Sequence, residues 1–445
     1  MADTLQDELF AWLRIPSIST GGGDPADLER AAQWAAAKVR DAGGEAELVT
    51  IDGGNPLVVG ELRASQDAGA APTVLIYGHY DVQGAEPLDL WTSPPFEPEV
   101  RDGRIYARGA ADDKGNFLPL LAAACDLAQA GELPVNVRVA VEGEEEAGGE
   151  SISAWLKDDP RGADAAIVYD SGMVGPDRPA VTVGLRGVHL VTFDVRAAQR
   201  DLHSGMYGGS ALNALHALHQ GLAAVIPGAD GRVREELRVG IAAPTAEERA
   251  SWADLPSGDD ALAAAGARPA YPGAGAEYVE RNGSDTAVDV DQIVAGDTRT
   301  VIPAVARATV SIRVAPGQDV LAMGAELERL IREALPEGAD MEVVSRHSAP
   351  PAHFPADSPA LKIAGAAIGR AVGAPVAYVR SGGAIPFVAD LSAKGIPTIV
   401  TGFVLPDDPF HAPNESFSVR GLELGYKSAR ELLTGLAALG DGAAS

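Results

Sequence analysis

The chain contains 445 residues, of which 46% are hydrophobic and 22% are charged, so it has enough apolar sequence for the cores of two globular domains. Its formal net charge of −28 argues against nucleic acid or an anionic membrane surface as a partner, because both recognise basic patches. The single cysteine, Cys125, excludes an intrachain disulfide, and its apolar helical context predicts a buried structural thiol. With neither a basic, apolar leader nor an apolar run of the ~20 residues that a membrane helix needs, the chain is predicted to be cytoplasmic.

The first part of the chain alternates between helical and strand-like segments. The predicted strands are short apolar runs, and the predicted helices are longer amphipathic segments. In chain order they are a helix at 28–42, a strand at 73–78, a helix at 115–131, a strand at 135–141, a helix start at 151–156 and a strand at 165–169. Alternation of this kind predicts a layered α/β domain around a central, mainly parallel sheet.

The pattern changes near Gly184, where apolar and polar residues begin to alternate along the predicted strands. Strands are predicted around 191–195, 309–314 and 341–344, and helices at 210–222 and 320–335. This order is typical of an α+β domain of the ferredoxin-like type, with its helices on one side of a small sheet. The intervening segment 242–285 is rich in Ala, Gly, Pro and acids, and we interpret it as an insertion or a long loop.

The α/β pattern resumes from about residue 350, with a helix at 360–372 and a strand at 398–404. The simplest architecture is therefore one α/β domain that is interrupted by an inserted α+β domain. We predict the first part of the α/β domain at residues 1–184, the inserted domain at 185–346 and the second part at 347–445.

The most informative segment is an apolar, β-branched run at 73–78 that is followed by His79 and, two positions later, by Asp81. The run predicts a buried strand, and residues two apart in an extended chain face the same side. A carboxylate beside an imidazole is one way in which proteins orient a metal-binding histidine. Taken alone, the pair is equally consistent with an ordinary hydrogen-bonded His–Asp pair at a strand end.

Four further segments place acids or a histidine just after a predicted strand or turn. They contain Asp112 and Asp113, the run from Glu142 to Glu146, Asp170, and His411. Each alone is compatible with a turn, a solvated acidic loop or a surface histidine, but functional groups in open α/β sheets gather at the carboxyl ends of strands. Together the five segments supply ligands for two divalent metal ions. Mixed histidine and carboxylate ligation without thiolate suits zinc, and also manganese or cobalt.

Eight short motifs occur in order along nearly the whole chain. They are His79-Tyr-Asp-Val-Gln83, Trp91 with Pro95-Phe96, Asp102-Gly-Arg-Ile-Tyr-Ala-Arg108-Gly, Asp112-Asp-Lys-Gly115, Glu142-Gly with Glu145-Glu146, Gly184-Leu-Arg-Gly187, Asp201-Leu-His203-Ser-Gly, and Thr300-Val-Ile-Pro303. In this series the chain resembles the cocatalytic-zinc family of carnosinase-type dipeptidases, glutamate carboxypeptidase, succinyl-diaminopimelate desuccinylase and aminoacylase. The resemblance is closest to the carnosinase-like dipeptidases.

The resemblance implies that the α/β domain is catalytic and that each subunit holds two divalent metal ions. The implied ligands are His79 and Asp170 at one metal, Glu146 and His411 at the other, and Asp112 as the bridge between them. It further implies a cis peptide bond after Asp112. Asp81 would orient the ring of His79, and Glu145 would bind no metal and act as the general base.

The inserted domain is implied to serve as a lid and as the dimerisation domain. In the family, the histidine matching His203 reaches the active site of a partner subunit, where it helps to stabilise the oxyanion. Arg313 matches an arginine that holds the C-terminal carboxylate of the substrate, and Thr300, Gly383 and Ala384 are the further implied substrate contacts. Ala384 stands where the family loop usually has a serine, so it lacks the hydroxyl that would donate to a carboxylate.

These features predict a homodimeric, dinuclear metal-dependent hydrolase of peptide bonds, most simply a dipeptidase that recognises a free C-terminal carboxylate. Water activated by the metals would attack the carbonyl, with Glu145 as the general base. An N-acyl amino acid deacylase of the desuccinylase type would use the same machinery. A metal-dependent phosphohydrolase would need a basic cluster that the motifs do not supply. A non-catalytic binding module would not need both Glu145 and Asp81.

Overall fold

A computed structural model describes residues 2–444, and within these residues the chain forms eighteen β-strands and thirteen α-helices. The strands are β1 (Glu45–Val49), β2 (Leu57–Leu62), β3 (Thr73–His79), β4 (Glu99–Arg101), β5 (Arg104–Tyr106), β6 (Asn136–Glu142), β7 (Ala165–Tyr169), β8 (Ala180–Leu185), β9 (Gly187–Arg196), β10 (Leu202–His203), β11 (Ala287–Ala295), β12 (Val301–Ile302), β13 (Val305–Val314), β14 (Asp340–Ala349), β15 (Ala352–His353), β16 (Ala377–Ser381), β17 (Thr398–Thr401) and β18 (Ser416–Ser418). The helices are α1 (Ala2–Leu13), α2 (Pro25–Asp41), α3 (Lys114–Gln129), α4 (Glu150–Asp158), α5 (Ser204–Tyr207), α6 (Ala214–Ala223), α7 (Ala246–Ser251), α8 (Gly258–Ala264), α9 (Ala274–Ser284), α10 (Val320–Ala334), α11 (Pro359–Val372), α12 (Pro386–Ala393) and α13 (Val419–Leu436).

The larger sheet has nine strands in the order β1-β2-β6-β3-β7-β17-β8-β15, with β16 also paired to β8. Its centre is parallel, because β3 pairs in parallel with β6 and β7, and β7 pairs in parallel with β17. The outer strands β1, β2 and β15 run antiparallel to their neighbours. The central strands are apolar and buried along almost their whole length, as expected for strands that are covered on both faces.

The inserted region has its own sheet, in the order β11-β13-β9-β14, with every pair antiparallel. In the chain, these strands and two helices follow one another as β9, α6, β11, β13, α10 and β14. This βαββαβ order with this strand arrangement is the ferredoxin-like topology. The predicted fold class, an α/β layered fold with an inserted α+β unit, is confirmed.

The two sheets belong to two separate hydrophobic cores. One core takes buried residues up to Leu185 and again from Ala352 onward, and the other lies between Val191 and Met341. The predicted domain bounds of 1–184, 185–346 and 347–445 stay a prediction, which the position of these cores supports. Cys125 is a free, buried cysteine of helix α3, as predicted.

The segment 242–285, interpreted from its composition as an insertion or loop, contains the helices α7, α8 and α9. Thr245 and Glu248 form a capping box at the start of α7. The Glu248 carboxylate also pairs with the buried guanidinium of Arg380 in β16, with an Oε2–Nη2 distance of 2.9 Å. This ion pair fastens the segment to the larger sheet.

A predicted helix start and a predicted strand end differ from the structure by a few residues. The helix predicted to begin at 210 begins at Ala214, because the side chain of Asn213 caps it by accepting from the backbone N–H groups of Leu215 and His216. The strand predicted at 398–404 ends at Thr401. In the part of the chain that the structure describes, no helix is both long and apolar enough to cross a membrane.

Candidate metal centre

The candidate site lies at the carboxyl edge of the parallel strands. His79, the last residue of β3, is directly opposite Glu142, the last residue of β6, and Thr401 at the end of β17 is opposite Tyr169 at the end of β7. The loops that leave these strands therefore start side by side. This is the edge at which open α/β sheets collect their functional groups.

One group of side chains combines His79, Asp112 and Asp170. Their candidate donor atoms all lie within 4.8 Å of one another. The His79 Nε2 and Asp112 Oδ1 atoms are 3.0 Å apart, and the His79 ring is fully buried. The first predicted ligand set is thus brought together, although its role in binding metal stays a prediction.

A second group combines Asp112, Glu146 and His411, again with candidate donor atoms within 4.8 Å. The His411 Nε2 atom lies 2.9 Å from Asp112 Oδ2 and 3.0 Å from Glu146 Oε2. Asp112 therefore offers Oδ1 to one group and Oδ2 to the other, as a bridging carboxylate would. The Asp112–Asp113 peptide bond is cis, as the resemblance implies.

The consecutive glutamates Glu144, Glu145 and Glu146 occupy three different environments. The Glu144 carboxylate accepts from the backbone N–H of Asn55 at 2.7 Å and of Ser151 at 3.3 Å, so it has a local structural role. Glu146 points to His411, as described above. Glu145 lines the cavity beside both ligand groups. The turn that begins at Glu145 is a single 3-10 turn, which explains how adjacent acids diverge.

Asp81 contacts one residue of each ligand group, His79 and Glu146. Its Oδ1 atom lies 3.4 Å from the Nδ1 atom of His79, whose Nδ1 also lies 3.1 Å from the Asp81 carbonyl oxygen. The Oδ2 atom accepts from the Ser19 hydroxyl at 2.5 Å and from the Glu146 backbone N–H at 3.1 Å. One buried carboxylate thus orients the His79 ring and the Glu146 backbone together, which agrees with the orienting role implied for Asp81.

The charges of the site are strongly perturbed. Burial lowers the pKa of His79, but its hydrogen bonds to Asp112 and Asp81 outweigh this effect and hold the pKa well above its usual value. Hydrogen bonds to Asp112 and Glu146 raise the pKa of His411 to about 10. Burial, reinforced by the charge of Asp112, raises the pKa of Asp170 well above its ordinary value.

These residues fit a pair of divalent cations in their donor chemistry and in their electrostatics. Two imidazoles and three carboxylates without a thiolate suit zinc, manganese or cobalt. The buried Glu146 Oε1 atom accepts no hydrogen bond from the residues that the structure describes, so it is free for a ligand. The acids raise the pKa values of both His79 and His411, so they favour positive charge at this position, and a bound cation would supply that charge in place of the ring protons.

Next to these groups lies a cavity of about 500 Å³. Glu145 lines it together with the ligand-group residues Asp112, Asp170 and His411, and the predicted substrate contacts Gly383 and Ala384 also lie on its wall. The remaining wall is largely apolar and includes Met173, Leu405 and Phe410. Burial raises the pKa of Glu145; the charge of His79 opposes this rise and the neighbouring acids reinforce it, so the carboxylate accepts a proton more readily than an exposed glutamate.

Three predicted site residues neither line this cavity nor form a hydrogen bond with the ligand groups among the residues that the structure describes. His203 is exposed on a two-stranded ribbon, where it lies opposite Val301 and its Nδ1 accepts from the Gly205 N–H at 3.1 Å. Thr300 is also exposed, and its carbonyl oxygen accepts from the Ser204 N–H. Arg313 lies in β13 of the inserted sheet. The structure therefore puts none of these three residues on the cavity wall of its own chain.

Sequence reasoning missed two polar residues of the site. Gln83 donates to the Glu146 Oε2 atom at 2.7 Å, and it belongs to the same motif as His79. Glu415 lies four residues after His411 and is fully buried beneath the loop that carries Asp112. Its position in the predicted His411 segment was the available signal.

The comparisons with known proteins agree with this geometry. Residues 75–435 match the model of peptidase family M20/M25/M40. The chain belongs to this family. It is 30% identical over 428 residues to a cysteinylglycine-S-conjugate dipeptidase of Corynebacterium striatum, an alignment that covers 91% of this chain and 90% of the relative. The resemblance found in the motifs is confirmed, and the chain is a metal-dependent hydrolase of the peptidase class.

Solved structures share the same fold over nearly the full length. A metallo-carboxypeptidase of the same family from Sulfolobus solfataricus superposes with a TM-score of 0.82 at 25% identity and covers 97% of this chain and 99% of its own. Human carnosine dipeptidase 1 superposes with a TM-score of 0.75 at 24% identity and covers 98% of this chain and 96% of its own. The fold of this chain is therefore that of known metallopeptidases over nearly its full length.

Proposed function

We propose that this protein is a dipeptidase that uses two divalent cations, with zinc as the metal and manganese or cobalt as substitutes. The observation that carries the proposal is the sharing of Asp112 between two ligand groups, with Glu145 facing the same cavity. His79 and Asp170 would complete one metal site, and Glu146 and His411 the other. The names of the dipeptidase relatives support a dipeptide as the substrate.

When bound, the two cations would polarise the scissile carbonyl and lower the pKa of a water molecule from about 15.7 toward about 7. Glu145 would take the proton from that water and return it to the leaving nitrogen atom. Its position in the cavity and its raised pKa suit both steps, because a base that also has to act as an acid works best near the operating pH. Asp81 would hold the His79 ring in the tautomer with its proton on Nδ1, which leaves the lone pair of Nε2 free to bind a metal.

Recognition of the free C-terminus is assigned to Arg313, together with Thr300 and the wall at Gly383 and Ala384. A guanidinium can bind a carboxylate through two parallel hydrogen bonds. Arg186 lies just before β9, which pairs with β13 around Arg313, and burial, followed by the charge of Arg313, lowers the pKa of Arg186 to about 10. Two neighbouring arginines favour an anion over a neutral amide at this position.

The active form is proposed to be a homodimer through the inserted domain. His203 is exposed and does not line the cavity of its own chain, so a second subunit is the simplest source of this histidine at the site. Its exposed position on the ribbon of β10 and β12 would allow contact with a neighbouring subunit.

Three substrates with the same C-terminal residue test the proposal: a dipeptide, its C-terminal amide, and an N-acyl amino acid. The metal-depleted protein should be inactive, and zinc should restore cleavage of the dipeptide far above that of the amide. Arg313→Ala should reduce this preference. Efficient cleavage of the N-acyl amino acid with a poor rate on dipeptides would make the protein a deacylase, and equal rates on dipeptide and amide would remove Arg313 from recognition.

A further inference from the structure

The buried carboxylate of Glu415 collects four hydrogen bonds from one short loop. Its Oε2 atom accepts from Arg108 Nη1 at 2.6 Å and from the Gly109 backbone N–H at 3.0 Å. Its Oε1 atom accepts from the backbone N–H groups of Ala111 at 2.8 Å and Asp112 at 3.1 Å. Every donor lies within the loop that presents the shared carboxylate of Asp112. Hydrogen bonds to an ionised carboxylate are among the strongest in proteins.

The backbone of Glu415 is held against the same loop. Its carbonyl oxygen accepts from the Ala107 N–H at 3.2 Å, and the next residue, Ser416, pairs with Tyr106 in the sheet formed by β18, β5 and β4. The side chain therefore cannot shift independently of the loop. The distance between the Glu415 backbone and the Asp112 backbone is set by contacts on both sides.

Glu415 also ends the segment that carries His411. This segment is conformationally unusual, because His411 and Asn414 both have positive φ values, of 55° and 61°. Next to Glu415, the segment is also held by Asn414, whose Oδ1 accepts from the Thr92 N–H and whose Nδ2 donates to the Leu90 carbonyl, both at 2.8 Å. A segment of this kind keeps its shape only when its surroundings hold it.

Arg108 completes the arrangement on the other side of the carboxylate. It is 2% exposed, it donates through Nη2 to the Gly84 carbonyl at 2.9 Å, and its guanidinium lies 5.4 Å from the centre of the Trp91 ring. A buried pair that is held by additional hydrogen bonds resists separation, and the loss of one partner leaves an uncompensated charge. The pair of Arg108 and Glu415 is thus a rigid link between two distant parts of the chain.

We propose that Glu415 is a positioning residue that sets the distance between Asp112 and His411, two members of the second ligand group. The inference rests on the proposed two-metal function. Glu415 binds neither metal nor substrate. It acts through the Asp112 backbone on one side and through the His411 segment on the other.

This arrangement makes a specific prediction about the two metal sites. Loosening Glu415 would disturb two of the three members of the Asp112, Glu146 and His411 group. In the His79, Asp112 and Asp170 group it would disturb only Asp112. The second site should therefore lose more affinity than the first, which a general loss of stability would not produce.

Glu415→Gln is the direct test, measured by chelator competition and calorimetry with Zn²⁺ alone. Whichever way the amide is turned, its NH₂ group faces two N–H donors, so the substitution breaks the arrangement without a change in size. We expect wild type to bind two Zn²⁺, and Glu415→Gln to bind one of them at least ~10-fold more weakly, the scale expected for residues that orient metal ligands. The other affinity should change less.

Asp159→Asn is the matched control, because Asp159 and Arg138 form another buried ion pair, whose side chains are both 6% exposed against 2% and 0% for Arg108 and Glu415. This variant should lose stability, measured by thermal unfolding in EDTA, while both Zn²⁺ affinities stay at wild-type values.

Should Glu415→Gln fail to fold, Arg108→Lys replaces it, since lysine keeps the charge and loses the planar fork. It should weaken the same site by a smaller factor.

The outcomes separate the two proposals. If wild type does not bind two Zn²⁺, the proposed metal function fails. If wild type binds two Zn²⁺, and Glu415→Gln and Arg108→Lys bind both ions with unchanged affinity or with the same reduction at the two sites, Glu415 is not a positioning residue. Selective loss at one site, absent in Asp159→Asn, supports the proposal.

Discussion

Three consecutive glutamates with three different environments show how much a single residue position matters at this site. Glu144 accepts backbone hydrogen bonds, Glu145 lines the cavity, and Glu146 lies 3.0 Å from His411. Their identical chemistry makes substitutions by glutamine directly comparable. Each Glu→Gln change removes the same charge, so any difference between the three variants should come from the environment of the residue.

Glu145→Gln should keep both bound metals and lose several orders of magnitude in turnover, because proton transfer and water orientation both depend on this carboxylate. Glu146→Gln should instead lose one metal, and Glu144→Gln should retain both metals and most of the activity. Metal content by elemental analysis and kcat on a dipeptide distinguish the three. A Glu145→Gln enzyme with near-normal turnover, or with one metal, would reverse the assignment of Glu145 and Glu146.

Metal binding should release protons and become tighter as the pH rises. The raised pKa of His411, about 10, means that the metal-free side chain is protonated at pH 7.5, and a cation can bind only after that proton leaves. Affinity should therefore increase between pH 6 and pH 9, by up to ~10-fold per pH unit for each proton released. Calorimetry of Zn²⁺ binding in two buffers with different ionisation enthalpies measures the release. Heats that do not depend on the buffer would contradict it.

The residues of the site were predictable from the sequence where the motif lies at the end of an apolar strand, as at His79 and Asp170. Such a strand fixes both the location and the direction of the next side chain. Gln83 and Glu415 lie in predicted segments, but their roles were not predictable, because these roles depend on hydrogen bonds to residues far away in sequence. A buried glutamate in a loop looks the same in sequence as a solvated one.

At the scale of elements, long apolar strands and amphipathic helices were predicted to within a few residues, whereas the three helices of segment 242–285 were not. Helices α7 and α8 have only six and seven residues, so they are too short to be stable through local propensity. Tertiary contacts supply the missing stability, above all the contact between Glu248 and Arg380. The Thr245–Glu248 capping box was a usable sequence signal for one of the helix starts.

Glu248→Gln should destabilise the protein by about 3–5 kcal/mol, because it leaves the Arg380 guanidinium buried without its counter-charge. The urea midpoint of the unfolding transition measures the effect. Glu247→Gln provides the control at an exposed neighbouring position and should change stability by less than about 0.5 kcal/mol. A similar midpoint for the two variants would show that the segment is held to the sheet by other contacts.

At the scale of the whole molecule, the chain separates His203 from the ligand groups, and the predicted dimer would reunite them. A His203→Ala subunit and a Glu145→Gln subunit should each be nearly inactive as homodimers. A mixture should regain activity toward half of the wild-type value per heterodimer, because one of its two sites would have both groups intact. Subunit exchange has to be verified by differently tagged chains. Confirmed exchange without any regain of activity would mean that His203 serves its own subunit or has no catalytic role.

The strand order of the larger sheet has a consequence for folding during synthesis on the ribosome. His79, Asp112 and Asp170 are synthesised early, but β17 lies between β7 and β8 and is made only after the entire inserted region. At ~5–20 residues per second, translation from Asp170 to His411 takes on the order of tens of seconds. During that interval the growing chain carries one complete ligand group on an unfinished sheet, while the other group still lacks its histidine.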